Sequence, residues 1–439
     1  MKPQFIIAAP TSNSGKTTVT LGLLRALKNR GLSTQPFKVG PDYIDPKFHG
    51  IASGVEGINL DLFMMDELDI RSTYSSYSHE TEVVVVEGVM GLFDGAKRSE
   101  KSTAELAKLL ELPIIFVVDA KSVAYSVAPL LYGFKNFDKE SKIAGVIFNR
   151  VNTKSHYKFL EEACEDVGIP ALGHLPFLED CKIESRHLGL SLDKIEENDT
   201  IIEKIAQAIE QNIHVDQLLK STTIKSREYS NTKTQNSPQD HTVAIAKDEA
   251  FNFSYIQTVN AFKQIGKIIF FSPLNDASLP EADIVYLPGG YPEYFTKDLS
   301  TNQSMLQSIK SFADAGGKII AECGGLMYLG KSIIDKEGNE VTMVNVFDYT
   351  TSMANMKLTL GYRKTHIDDL ELLGHEFHYS TLSGEKNINK VGKSFSARGK
   401  EVDTSFFKYK NTIASYTHYY WAKDGLLNKI INYLNKPEK

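Results

Sequence analysis

Short apolar runs alternate with amphipathic helical stretches along the first half of the chain. Residues 5–9 read as a strand, residues 15–30 as a helix and residues 35–39 as the next strand. Residues 83–86, 114–118 and 143–148 are apolar at successive positions, so neither face of these strands is polar. Such strands sit in the middle of a parallel sheet covered by helices on both sides. Ser102 and Glu105 fit a capping box that opens a helix over residues 103–110. This half predicts a doubly wound parallel α/β domain.

Residues 221–240 (STTIKSREYSNTKTQNSPQD) are nearly devoid of large apolar side chains and cannot bury enough surface to fold alone. The pattern then restarts, with strands at 242–246, 268–271, 284–287 and 318–321 and helices at 254–265 and 305–315. The expected organisation is an α/β domain over residues 1–220, a linker over 221–240 and a second α/β domain over 241–439.

Composition narrows the function. A length of 439 residues exceeds one ordinary core, in keeping with two domains. A net charge of -6 argues against nucleic acid or an anionic membrane surface as partner. No apolar run approaches the roughly 20 residues of a membrane span. The N-terminus runs directly into a strand, unlike a signal peptide. Cys164, Cys181 and Cys323 are odd in number and lack CxxC spacing, which favours neither a disulfide framework nor a metal site. The expected compartment is a reducing cytoplasm.

Ala9–Thr18 reads APTSNSGKTT between a strand and a helix. Backbone N–H groups of such a turn, backed by the helix N-terminus, surround phosphate oxygens. Asn13, Ser14, Gly15, Lys16, Thr17 and Thr18 are the expected nucleotide contacts. Gly15 permits close backbone approach, Lys16 reaches the outer phosphates and the Thr17 hydroxyl is suited to Mg²⁺. Pro10 stands where this motif usually starts with glycine. Glu87 ends a buried strand, beside the phosphate loop in doubly wound sheets, and is the second Mg²⁺ candidate.

The stretch KVGPDYIDP places Asp42 and Asp45 on a loop fixed by prolines and glycine, and Asp94 follows the glycine-rich EGVMGLFDG. Three carboxylates and Lys38 near a triphosphate suit Mg²⁺ binding and charge management around a transferring phosphoryl group. Spacing alone fits turn-capping aspartates equally well.

In the second half, IIAECGGL ends a strand at Cys323 and opens a helix after two glycines. This turn exposes the sulfur at a positive helix end, expected to lower the thiol pKa. Gly324 offers an oxyanion-hole N–H, and Gly290 in LPGGYPE is the second donor candidate. His418 in SYTHYYW is the candidate base, with His375 and His378 in GHEFHYS as the rival cluster. Cys164 fits inert core, and Cys181 has no such elbow.

At this point the motifs match a family. FKVGPDYIDPKFH, VVEGVMGLFDG, RHLGL (residues 186–190), DEAFNFSY, LPGGYPE, AECGGLMYL and GHEFHYS resemble cobyrinic acid a,c-diamide synthases across nearly the whole chain. The resemblance implies a P-loop-type synthetase domain in front of a class I glutamine amidotransferase-like domain. It implies ATP and Mg²⁺, L-glutamine as nitrogen donor and a corrinoid substrate amidated at its a and c acetates through an acyl phosphate, in cobalamin biosynthesis. It also implies that Asp42, Asp45, Glu87 and Asp94 are synthetase-site acids, that Lys38 contacts phosphate or substrate carboxylate and that Asn149 meets adenine. A homodimer is compatible with the family. Asn13 departs from the glycine often found there. Tyr420 stands where related glutaminases carry a glutamate, and Glu376 is the substitute expected to orient His418.

Three other readings compete. One is amidation of nickel-sirohydrochlorin. Another is a partitioning-type ATPase scaffold, and the last a synthetase fed by free ammonia; neither would need Cys323 and His418.

Overall fold

A computed structural model describes residues 1–181, 195–227, 229 and 241–436. It divides into two compact units, Met1–Asn231 and Thr232–Lys439. RHLGL and most of the expected linker lie outside the described residues.

The first unit is built on a parallel sheet. Its strand order is Ile58–Leu60, Thr34–Val39, Val83–Glu87, Lys2–Ala8, Ile114–Asp119, Ile143–Asn149, Ala171–His174. The continuous apolar runs occupy the centre: Val84, Val85 and Val86 are fully buried, as are Ile114 to Val117. Burial on both faces is what removed any polar alternation from their sequence. Thr223–Ile224, inside the stretch expected to link the domains, pairs antiparallel with Lys2–Pro3.

Helix Lys16–Asn29 lies between the sheet and helix Ile195–Asn212. The helices approach closely at Gly22, where a Cβ would lie 2.7 Å from both Ile205 and Ile209. Ser102 caps helix Thr103–Leu110 by accepting from the Glu105 N–H at 3.3 Å. The Glu105 carboxylate reaches back to the Lys101 N–H, one residue earlier than a standard box requires.

The second unit has a six-stranded sheet in the order Gly266–Phe271, His241–Ala246, Ile284–Leu287, Lys318–Glu322, Thr412–Ser415, Phe406–Tyr409. All pairs are parallel except the last. Period-two alternation sends Val243, Ile245, Ile284, Tyr286 and Ile320 to one core, under helices Ile256–Ile265 and Leu426–Leu434. Ala244, Ala246, Val285, Leu287, Ile319 and Ala321 go to the other, with helix Gln303–Asp314.

Residues 332–402 add two smaller sheets with no counterpart in the sequence reading. The longest pair is the hairpin Thr359–Ile367 and Leu370–His378, turned by Asp368 and Asp369 with Asp368 at φ 49°. His418–Tyr419 pairs with the second strand of that hairpin, placing His418 opposite His375.

Candidate active sites

In the first unit, the phosphate loop turns at Gly15, whose φ of 100° favours glycine. Asn149 makes a second demand for glycine: a Cβ on Gly15 would lie 2.1 Å from its Nδ2. That amide donates to the Ser14 carbonyl at 3.1 Å, so Asn149 braces the phosphate loop from beneath. Lys16 curls back onto the carbonyls of Met90 (2.5 Å) and Thr11 (3.4 Å). Asn13 is exposed, Ser14 buried, and Thr17 and Thr18 half-buried.

Beside the loop lies a buried charge cluster. The Thr17 hydroxyl donates to Glu87 Oε1 at 2.6 Å. Lys38 Nζ donates to the same oxygen at 3.0 Å and pairs with Asp45 Oδ2 at 2.6 Å. His49 Nε2 meets Glu87 Oε2 at 2.6 Å. Burial opposes both charged forms here, yet the partners win. Asp45, Glu87 and Asp42 hold the Lys38 ammonium above the ordinary lysine range. Lys38 and His49 hold the Glu87 carboxyl well below the usual carboxylate range.

The structure thus brings Thr17, Lys38, Asp45 and Glu87 together. Asp42 stands next to them, its Oδ1 accepting from the Ile44 and Asp45 N–H groups and so starting helix Asp45–Ser53. Asp94 is exposed and closes its own turn by accepting from the Gly91 N–H at 2.9 Å. His49 was missed in the sequence reading. It follows Asp45 by four residues on one helix, so the spacing that puts both on one face was visible.

In the second unit, five motifs converge on Cys323. The residue has φ 46° and ψ −100°, a strained conformation for a side chain with Cβ, held by its N–H bond to the Ser415 carbonyl at 2.8 Å. Gly325 is needed because a Cβ would lie 2.2 Å from the Leu287 carbonyl oxygen. Strand Phe251–Phe253, from DEAFNFSY, pairs with Gly289–Gly290 and fixes the LPGGYPE loop. His418 packs over that loop: a Cβ on Gly289 would lie 2.2 Å from its Cε1. The GHEFHYS strand crosses the Cys323 turn, with the Phe377 carbonyl 4.0 Å from Sγ.

Burial governs Cys323, His375 and His418, while Glu376 beside them is paired with Arg363. Burial pushes the Cys323 thiol up, and the carboxylates of Glu293 and Glu376 add to the effect. The expected lowering by the helix end is overridden because helix Gly324–Leu329 is short while the sulfur is buried. Burial lowers His418 well below the ordinary imidazole range, and His375 to about 3. The two rings stack with centroids 5.0 Å apart.

Glu376 is hydrogen-bonded to His378 and acts on His418 through its charge. Its Oε2 accepts from Arg363 and Thr404, and its Oε1 meets His378 Nε2 at 3.0 Å. His378 in turn lies flat on Tyr416, centroids 3.8 Å apart. The segment carrying His418 is instead tied to Glu322, the residue before Cys323. Glu322 accepts from the Tyr419 N–H (2.9 Å), Trp421 Nε1 (2.6 Å) and the Tyr286 hydroxyl (2.7 Å). Burial pushes its carboxyl up to about 7. Cys164 is buried in helix Lys154–Val167, and burial raises its thiol to about 12, which suits inert core.

Comparison with known proteins covers both units. Residues 5–190 match the family model described as CobQ/CobB/MinD/ParA nucleotide binding domain. Residues 242–426 match the CobB/CobQ-like glutamine amidotransferase domain. A cobyrinate a,c-diamide synthase of Listeria innocua is 39% identical, over 96% of this chain and 97% of its own. A hydrogenobyrinate a,c-diamide synthase of Brucella anthropi is 40% identical, over 94% of this chain and 97% of its own. A cobyrinate a,c-diamide synthase of Picrophilus torridus is 39% identical over 96% of both chains. No helix among the described residues is long and apolar enough to cross a membrane.

Proposed function

The chain belongs to the family of cobyrinate and hydrogenobyrinate a,c-diamide synthases, and on that premise we propose how its two units divide one reaction. It is an ATP- and glutamine-dependent ligase that converts the a and c acetate carboxylates of a corrinoid acid to amides. The observation that carries the division of labour is the strained Cys323 elbow, built in a unit separate from the phosphate loop.

At the phosphate loop, a substrate carboxylate oxygen takes the γ-phosphoryl group of ATP, ADP leaves, and an acyl phosphate results. Lys16 would release its two carbonyls to reach the phosphates. Mg²⁺ keeps several waters and needs few protein oxygens, so the Thr17 hydroxyl, backed by the Glu87 carboxylate, would hold it. Bound with the triphosphate, it would offset phosphate charge. Lys38, fixed by Asp45, keeps the surrounding acids from repelling the substrates.

At the elbow, the thiol of Cys323 adds to the side-chain carbonyl of L-glutamine and His418 takes its proton. The resting pair is neutral, a protonated thiol and an unprotonated imidazole, so proton transfer accompanies attack. N–H groups of Gly290 and Gly324 are the proposed oxyanion donors. The proton passes to departing ammonia, and water then cleaves the glutamyl thioester. Ammonia attacks the acyl phosphate and expels phosphate; two such cycles give the diamide.

Mass spectrometry of cobyrinic or hydrogenobyrinic acid incubated with the protein, Mg·ATP and glutamine tests this reading. Conversion of two carboxylates to amides is expected and should require both ATP and glutamine. Glutamine hydrolysis without conversion of either acid would sink the corrinoid assignment.

A further inference from the structure

The LPGGYPE loop does more than border the Cys323 turn. A Cβ on Gly324 would lie 3.0 Å from the Gly290 nitrogen and 2.9 Å from Pro292 Cδ. Residues 290–292 are therefore pressed against the residue that follows Cys323. Glu293 comes next. Its Oε2 is shut off from solvent and has no hydrogen-bond partner among the described residues.

Its carboxyl also acts electrostatically on both Cys323 and Tyr416, raising each. It therefore lies close to both the sulfur and the phenol. The Tyr416 hydroxyl is already bonded to Ser380 Oγ at 2.8 Å. The cation that acts on Glu293 is Lys336, whose Nζ is committed to the Tyr294 hydroxyl at 2.9 Å and sits over that ring. The carboxylate is bonded to its own backbone N–H, which leaves Oε2 buried without a donor; an unsatisfied buried carboxylate oxygen is costly and suits an incoming cation.

We propose that Glu293 is the subsite for the α-ammonium group of L-glutamine. The carboxylate accepts N–H bonds from the ammonium, and the far end of the same molecule presents its neutral carboxamide to Cys323. The inference rests on the elbow being a glutaminase. Burial pushing the empty carboxyl up to about 7 agrees with it, because an arriving ammonium would restore the charged form.

The test compares hydrolysis of L-glutamine with that of glutaramate, which keeps the carboxamide and lacks the α-amino group. The full chain is used, with ammonia-driven amidation as the control for folding. The wild type should prefer glutamine in kcat/KM by about 100-fold or more, as sites built around a buried polar contact do. Glu293→Gln should cut that preference at least about tenfold, mostly through KM for glutamine, while glutaramate turnover stays within a few-fold. Glu293→Asp, which keeps the charge on a shorter arm, should fall between. Equal losses on both substrates, or an unchanged preference in both variants, would overturn the proposal. If the wild type hydrolyses neither substrate, the glutaminase reading fails first and takes this one with it.

Discussion

Glu87 and Glu322 occupy equivalent places in the two units. Each ends a central strand of a parallel sheet, Val83–Glu87 and Lys318–Glu322, and each is essentially fully buried. Their neighbours differ completely. Glu87 faces Lys38, His49 and Thr17, and its carboxyl is held low. Glu322 faces a phenol, an indole and a backbone N–H, and its carboxyl is pushed up to about 7. Ligands collect at the carboxyl ends of parallel strands whatever the chemistry, so topology explains the shared position. The chemistry lies in the surroundings. A site for phosphoryl transfer maintains fixed charges that meet other charges. Around Cys323, burial disfavours the charged forms of the thiol, His375 and His418, and Glu376 keeps its charge against burial through His378 and Arg363.

The largest expected break in this comparison is Cys323→Ala. Glutamine hydrolysis should fall at least roughly 10⁴-fold, as when a sole nucleophile is removed. Amidation driven by high ammonium should persist within a few-fold, because the charged site is untouched. Loss of both activities, with the fold intact by circular dichroism, would refute two separable sites.

Next in size is Lys38→Met. It leaves Glu87 and Asp45 buried without their cation, a change that typically costs about 3–5 kcal/mol. The first unit should unfold early in a far-UV melt. Trp421, the single tryptophan and a residue of the second unit, should keep its fluorescence transition. Adding Glu87→Gln to Lys38→Met should recover part of the loss. A melt equal to wild type would show that the cluster does not depend on Lys38.

The unequal legibility of the two sites follows from the same contrast. The phosphate loop is a local motif, so Gly15, Lys16 and Thr17 could be read from spacing. Buried central strands announce themselves by unbroken apolar runs, and Glu87 stood out as a charge at the end of one. The elbow was also legible, because a strand running into Cys-Gly-Gly is local. Gly290 and His418 could be named from their motifs, but the part played by Glu322 could not. Glu322 reaches Tyr419 and Trp421 across nearly a hundred positions, and spacing carries no signal for such a contact. Glu376 was matched to His418 because both bore the right chemistry, but the hairpin Thr359–Ile367/Leu370–His378 gives its carboxylate to Arg363 and His378 instead. That hairpin escaped sequence reading because polar residues such as Arg363, Thr365, His375 and Glu376 occupy its buried positions, and its turn uses two aspartates rather than glycine.

The sharpest version of the comparison is a difference in the sign of a pH slope. Glu322 has a folded value of about 7 against an unfolded value of roughly 4.3. Between those values the folded chain holds a proton that the unfolded chain has lost, so Glu322 makes stability fall as pH rises through that window. The group facing it from the neighbouring strand is Tyr286, itself raised by burial and by Glu322, and Cys323 is adjacent in sequence; neither ionises below pH 7 in this setting. Glu322→Gln fits the same space and removes the titration. The variant should therefore gain on wild type as pH climbs from about 5 to 8, by on the order of 3 kcal/mol in all. Urea unfolding followed by Trp421 fluorescence reads this directly, since the indole donates to Glu322. Glu87 runs the other way: its folded value is depressed, so its contribution is complete above roughly pH 4.3 and is lost as the solution is acidified. Glu87→Gln should consequently lose on wild type as pH rises from acid toward 5 and show a flat difference from 5 to 8. Parallel pH curves for Glu322→Gln and wild type would mean that Glu322 is ionised in the folded chain like Glu87, and the contrast between the two strand-end glutamates would fall.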